Sequence, residues 1–243
     1  MGLQRVLRLI YPPQCLSCAT PVAQEGALCP DCWRATPFID GLVCDACGIP
    51  LPGAAQADAV LCDDCLRLPR PWDRGRAAML YAGTARRLVL GLKHGDRLEL
   101  AGACGGWLAA AAGPLLRPDM LVAPVPLHWS RLLRRRYNQA AVLAQALARR
   151  TGLEQCPDLL VRHRRTPGQG GNLTARHANL EGALALHPRR GARAEGRPVL
   201  LVDDVMTSGA TLAAAADACL AGGAARVDVV VLARVTRRDW AQP

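Results

Sequence analysis

The chain has 243 residues, 51% hydrophobic and 21% charged, with a formal net charge of +10. That balance belongs to a globular protein and excludes a disordered one, and no run of 18 apolar residues is present to cross a membrane as a helix. The charge is unevenly placed: residues 1–72 carry net −2 and residues 73–243 net +12, with Lys93 the single lysine among 30 basic side chains. An anionic partner, a phosphate ester or a nucleic acid, suits the second part. Arg5 and Arg8 interrupt the apolar start, so no signal peptide is expected and the expected location is cytoplasmic.

Eight of the eleven cysteines fall between residues 15 and 65 as four Cys-x-x-Cys pairs: Cys15/Cys18, Cys29/Cys32, Cys44/Cys47 and Cys62/Cys65. Each such turn aims two sulfurs at one point and forms half of a tetrahedral thiolate site, so four pairs make two structural zinc sites with no position left for a catalytic water. Sequential pairing closes the shorter loops and gives two zinc ribbons in tandem; an interleaved cross-brace, first pair with third, is the alternative. Burial alone would not hold so small a module, so the metals supply folding energy. Cys104, Cys156 and Cys219 are scattered and read as small buried hydrophobes.

Residues 68–73, LPRPWD, read as a stiff linker or entry turn, which sets the expected boundary between a zinc module at 1–72 and a second domain at 73–243. Beyond it the pattern predicts helices over 84–93, 98–112, 138–151 and 210–221. Short apolar strands are predicted over 120–125, 159–161, 198–202 and 227–233. Apolar strands alternating with helices specify an α/β fold with a parallel sheet.

In such sheets ligands bind beyond the C-terminal strand ends. After the strand at 198–202 come Asp203 and Asp204, then Thr207, Ser208, Gly209, Ala210 and Thr211, opening onto a helix. Two carboxylates accept hydrogen bonds from a vicinal diol. Hydroxyls, backbone N–H groups and a helix N-terminus cradle a phosphate, and Gly209 supplies positive φ or a close approach. Ribose hydroxyls and a 5′-phosphate fit both halves at once. A Walker B reading fails because no G-x-x-x-x-G-K-[ST] exists in the chain. The five histidines are scattered, and no catalytic base is assigned.

Residues 199–212, VLLVDDVMTSGATL, resemble the phosphoribosyl pyrophosphate (PRPP) signature of type I phosphoribosyltransferases, a Rossmann-like parallel-sheet fold. Together with the Cys-x-x-Cys module the whole chain is similar to the ComF family, ComFC-like competence proteins. The likeness extends to Lys93 in LKHGD, to residues 125–139 and to residues 164–179. It implies that Asp203 and Asp204 hold ribose hydroxyls, that residues 207–211 hold the 5′-phosphate, that Mg²⁺ accompanies PRPP, and that the protein serves uptake of single-stranded DNA with the DNA-uptake machinery. A nucleobase phosphoribosyltransferase of nucleotide salvage is the alternative. One departure stands out: the family's Arg-Gly-aromatic-Asn-Gln has Arg136 in the glycine place here. Candidates for pyrophosphate or nucleic acid are Lys93, Arg131, Arg135, Arg136, Arg164 and Arg176, with Trp129 and Tyr137 placed to stack on bases. The basic, glycine-rich stretch 162–179 reads as a loop that closes over PRPP.

Overall fold

The computed structural model describes residues 11–54, 58–94, 97–164 and 182–236. Two one-turn helices, α1 (Pro30–Arg34) and α2 (Asp63–Arg67), each begin directly after a cysteine, Cys29 and Cys62. From there the chain runs β1 (Arg74–Leu80), α3 (Gly83–His94), α4 (Leu100–Ala112), β2 (Leu121–Pro124), α5 (Trp129–Arg135), α6 (Gln139–Thr151), β3 (Glu154–Gln155), β4 (Leu160–Arg162), β5 (Leu184–Leu186), β6 (Pro198–Met206), α7 (Ala210–Ala221) and β7 (Arg226–Arg234).

Five strands form one parallel sheet in the order β1-β7-β6-β2-β3. The pleat sends alternate residues of β6 to opposite faces. Leu200 and Val202 pack with Leu88 of α3, Leu108 of α4 and Leu143 and Leu147 of α6, whereas Val199 and Leu201 pack with Leu212, Ala216 and Cys219 of α7. Both faces are covered, which is why these strands read as unbroken apolar runs.

The second cysteine group joins this packing. Cys44, Cys47, Cys65 and Trp72 lie in the same buried cluster as Val229 and Val231 of β7. Gly75 is needed at this contact, because a Cβ there would meet the Ala46 carbonyl oxygen at 2.4 Å. The segment between the two ribbons also covers the open edge of β1: Ile39 N–H donates to the Ala78 carbonyl at 3.0 Å and Leu80 N–H to the Pro37 carbonyl at 2.9 Å. An edge so covered offers no template for another strand.

Several expectations need correction. The strand predicted to end at residue 202 runs on to Met206, because Asp203 and Val205 keep their register with Val231 and Ala233 of β7. The Asp pair therefore sits within the last part of β6 rather than after it. The strand predicted at 159–161 is displaced by one residue and pairs antiparallel with β5, outside the main sheet. Strand β1, hidden by its Arg-Gly-Arg start, went unread. Among the described residues no helix is long and apolar enough to cross a membrane.

Candidate functional site

The sheet order fixes where a site forms. From β2 the chain moves to β3 on one side, and from β6 to β7 on the other, so the crevice outside the C-terminal ends of β2 and β6 is the switch point where open α/β sheets bind ligands. A small cleft of about 120 Å³ lies there. It is lined by Val125, Pro126 and Leu127 after β2, by Arg135, Asn138 and Gln139, by Arg162, and by Asp203, Asp204 and Thr211.

Asp204 is buried, 8% exposed, and its Oδ2 lies 3.2 Å from Lys93 Nζ at the end of α3. The lone lysine is thus the counter-ion of a site carboxylate. Asp203 Oδ1 accepts from the Asp204 backbone N–H at 2.8 Å. Burial, and then repulsion by the Asp204 carboxylate, push Asp203 from 3.8 up to about 7; the Asp204 backbone N–H, then Lys93 and Arg162, pull the other way.

The turn that follows is built as its residue types require. Gly209 takes φ 81 at the start of α7, a left-handed backbone that L side chains rarely adopt. Ser208 Oγ accepts from Ala210 N–H at 3.3 Å, and the next N–H groups of a helix start have no intrahelical acceptor. Thr207 and Thr211 flank this turn. The cleft, the carboxylates and the helix N-terminus are contiguous.

The segment 126–139 is positioned by hydrogen bonds of its own side chains. Asn138 caps α6 through Oδ1, which accepts from Ala140 N–H at 3.1 Å, and its Nδ2 donates to the Val125 carbonyl at 3.0 Å. This bolts the start of α6 to the loop after β2. Gln139 is 1% exposed; its Oε1 accepts from Arg135 Nη1 at 3.2 Å, and its Nε2 has no partner among the described residues. Tyr137 donates its hydroxyl to the Leu92 carbonyl at 2.5 Å and is half-buried, which ties this loop to the end of α3. Trp129, 64% exposed, does present its ring.

Arg136 has φ 65 and ends α5 in the left-handed region. The backbone there keeps the shape that a glycine would adopt without strain. Arg135 reaches the cleft, Arg136 and Arg164 are exposed, and the Arg131 side chain and Arg176 lie outside the described residues, as does most of the stretch 162–179. Arg162, at the end of β4 and the start of that stretch, lines the cleft as well.

The cysteines gather as two groups, Cys15, Cys18, Cys29, Cys32 and Cys44, Cys47, Cys62, Cys65, each with its sulfurs within 4.8 Å of one another. This is the sequential pairing. Zn–S bonds of about 2.3 Å in a tetrahedron require sulfurs about 3.8 Å apart; Cys18 and Cys29 sulfurs are 3.6 Å apart and Cys47 and Cys62 sulfurs 3.8 Å. Backbone N–H groups of Cys29 and Ser17 point at Cys15 Sγ, at 3.2 and 3.4 Å, as suits a thiolate. Hydrogen bonds, led by Thr20, draw Cys18 down to about 6, whereas burial pushes Cys32 up to about 12. A bound dication is what allows all four to ionise together. The donor set and spacing fit two structural zinc ions. Cys104 and Cys219 are buried in the main core, which pushes each up to about 12 and leaves them unreactive.

These features define a double zinc ribbon joined to a phosphoribosyltransferase-type parallel sheet. Residues 6–66 match the Double zinc ribbon domain family and residues 138–240 the Phosphoribosyl transferase domain family. The chain is 34% identical over 234 residues to the DNA utilization protein YhgH of Escherichia coli K12, covering 93% of this chain and 99% of that one. It is 29% identical over 207 residues to Competence protein F of Haemophilus influenzae, covering 82% and 87% of the two chains. The chain belongs to the ComF family. Among solved structures it is similar to a glutamine PRPP amidotransferase from B. subtilis, with 18% identity and a TM-score of 0.40 over 59% of this chain and 30% of that one.

Proposed function

We propose that the chain binds PRPP at the C-terminal end of β6 and serves the handling of single-stranded DNA during its uptake, with residues 1–72 as the zinc module and 73–243 as the PRPP domain. The observation that carries the first part is the pair Asp203–Asp204 facing the cleft beside a Gly209-opened helix start. The Asp carboxylates accept from the ribose hydroxyls, and residues 207–211 take the 5′-phosphate through backbone N–H groups and hydroxyls. Arg135 and Arg162 also line the cleft and supply positive charge for the pyrophosphate. Mg²⁺ enters with that pyrophosphate and adds countercharge. The second part is supported by relatives named for DNA utilization and competence, and by the net +12 of residues 73–243.

Calorimetry with PRPP and Mg²⁺ tests the site. The double variant Asp203→Asn, Asp204→Asn is expected to bind at least tenfold more weakly, on the scale of two charge-assisted hydrogen bonds of about 1.5–3 kcal/mol each. Equal affinities would place the ribose elsewhere.

A further inference from the structure

Loop 206–209 is held from behind by two arginines, and both belong to the surroundings of the second cysteine group. Arg234, buried at the end of β7, donates through Nη1 to the carbonyls of Met206 at 3.1 Å, Thr207 at 2.7 Å and Val235 at 2.6 Å. Arg70, from the linker after α2, donates through Nη1 to the Ser208 carbonyl at 2.7 Å. Three successive carbonyls are thus held by guanidinium groups. A peptide unit whose carbonyl is fixed has the direction of its N–H fixed as well, so these bonds set the orientation of the loop's donors.

The same arginines face the cysteines. Arg70 favours the charged form of Cys65, and Arg234 favours that of Cys47. Four thiolates around Zn²⁺ leave a net 2− charge, and Arg70 and Arg234 are two positive charges against it. Trp72 completes the connection. Its Nε1 donates at 2.6 Å to the carbonyl of Ala46, between Cys44 and Cys47, while its ring lies under Arg70 with the guanidinium carbon 5.5 Å from the centroid. The far edge of that ring meets the loop: a Cβ on Gly209 would lie 3.1 Å from Trp72 Cη2 and 3.2 Å from Arg70 Nη1.

We infer that Arg70 is a positioning residue of loop 206–209, anchored on the second four-cysteine centre, so that zinc in that centre and the shape of the anion-binding loop are coupled. The consequence for PRPP rests on the function proposed above; the coupling itself does not. By linkage, whatever favours the ordered loop favours the metal-loaded centre by the same factor.

The test uses the zinc-loaded full chain and its Arg70→Met and Arg70→Lys variants. Elemental analysis first establishes that each retains both zinc ions. Hydrogen–deuterium exchange is then read over residues 206–211 and, as an internal reference, over 198–202. Arg70→Met is expected to exchange at least tenfold faster in 206–211 with 198–202 unchanged, and to bind PRPP at least tenfold more weakly. Arg70→Lys, which has one head group for two partners, falls between. Wild-type exchange rates in Arg70→Met, or full restoration by lysine, overturn the inference. So does an acceleration spread equally through 198–202, which marks a general loss of stability. A wild type that binds no PRPP while the exchange difference persists overturns the proposed ligand and leaves the coupling standing. Wild-type PRPP affinity in Arg70→Met with altered exchange confines the coupling to the loop and removes its functional consequence.

Discussion

Replacing Asp203 by asparagine should stabilise the protein, and the gain should depend on pH. In the folded chain Asp203 holds its proton up to about 7, because burial and the adjacent Asp204 disfavour its charge; the ordinary value is 3.8. Between those two values the folded state binds more protons than the unfolded one. Stability therefore falls as pH rises from about 4 to about 7, and this contribution is flat above. Each pH unit in that window is worth at most 1.36 kcal/mol, so the passage from pH 5 to pH 7 removes up to about 3 kcal/mol. Asparagine carries no such proton. The difference in unfolding free energy, variant minus wild type, should thus be larger at pH 8 than at pH 5 by that amount. Urea unfolding of the zinc-loaded proteins at both pH values measures it, and pH-dependent terms common to both proteins, including the thiolates, cancel. The same difference at the two pH values would refute the reasoning. A gain in stability alongside a loss of ligand affinity is the expected signature of a site residue held in an unfavourable state for function.

Elemental analysis should find two zinc ions per chain. Cys29→Ser should lose one and loosen the first ribbon, whereas Cys47→Ser should lose the other and lower the stability of the sheet as well, since Cys47 shares its buried cluster; protein isolated reduced and without zinc would refute both. Arg136→Gly should raise stability by about 0.5–1 kcal/mol, the left-handed strain of about 1–2 kcal/mol less the entropy that glycine adds to the unfolded chain. A lowered melting temperature would show that Arg136 contacts outweigh the strain. Fluorescence anisotropy at low salt should detect binding of single-stranded DNA, with log affinity falling against log salt by about 0.7 for each phosphate neutralised. Trp129→Ala should weaken it by about 1–3 kcal/mol with the slope unchanged, and no binding at low salt would remove the physical basis for the DNA role.

What the sequence determined by itself is the local chemistry. A Cys-x-x-Cys turn converges two sulfurs within four residues, so all eight ligands were readable. The run from Asp203 to Thr211 carries its carboxylates, hydroxyls and glycine contiguously, and α7 occupies the residues its alanine run predicted. Tertiary structure decided everything that depends on residues distant in the chain. It extended β6 past two acidic residues, because β7 continues to offer hydrogen-bond partners where the apolar pattern has stopped. It gave Lys93 to Asp204, bringing the end of α3 to a strand over a hundred residues later. It joined Arg70 to Ser208 across 138 residues and drew Arg234 under the same loop. An isolated arginine in a proline-bounded linker, or at the end of an apolar strand, carries no periodicity and no motif. Its role arises only when packing brings a distant carbonyl and an indole ring within reach of one guanidinium.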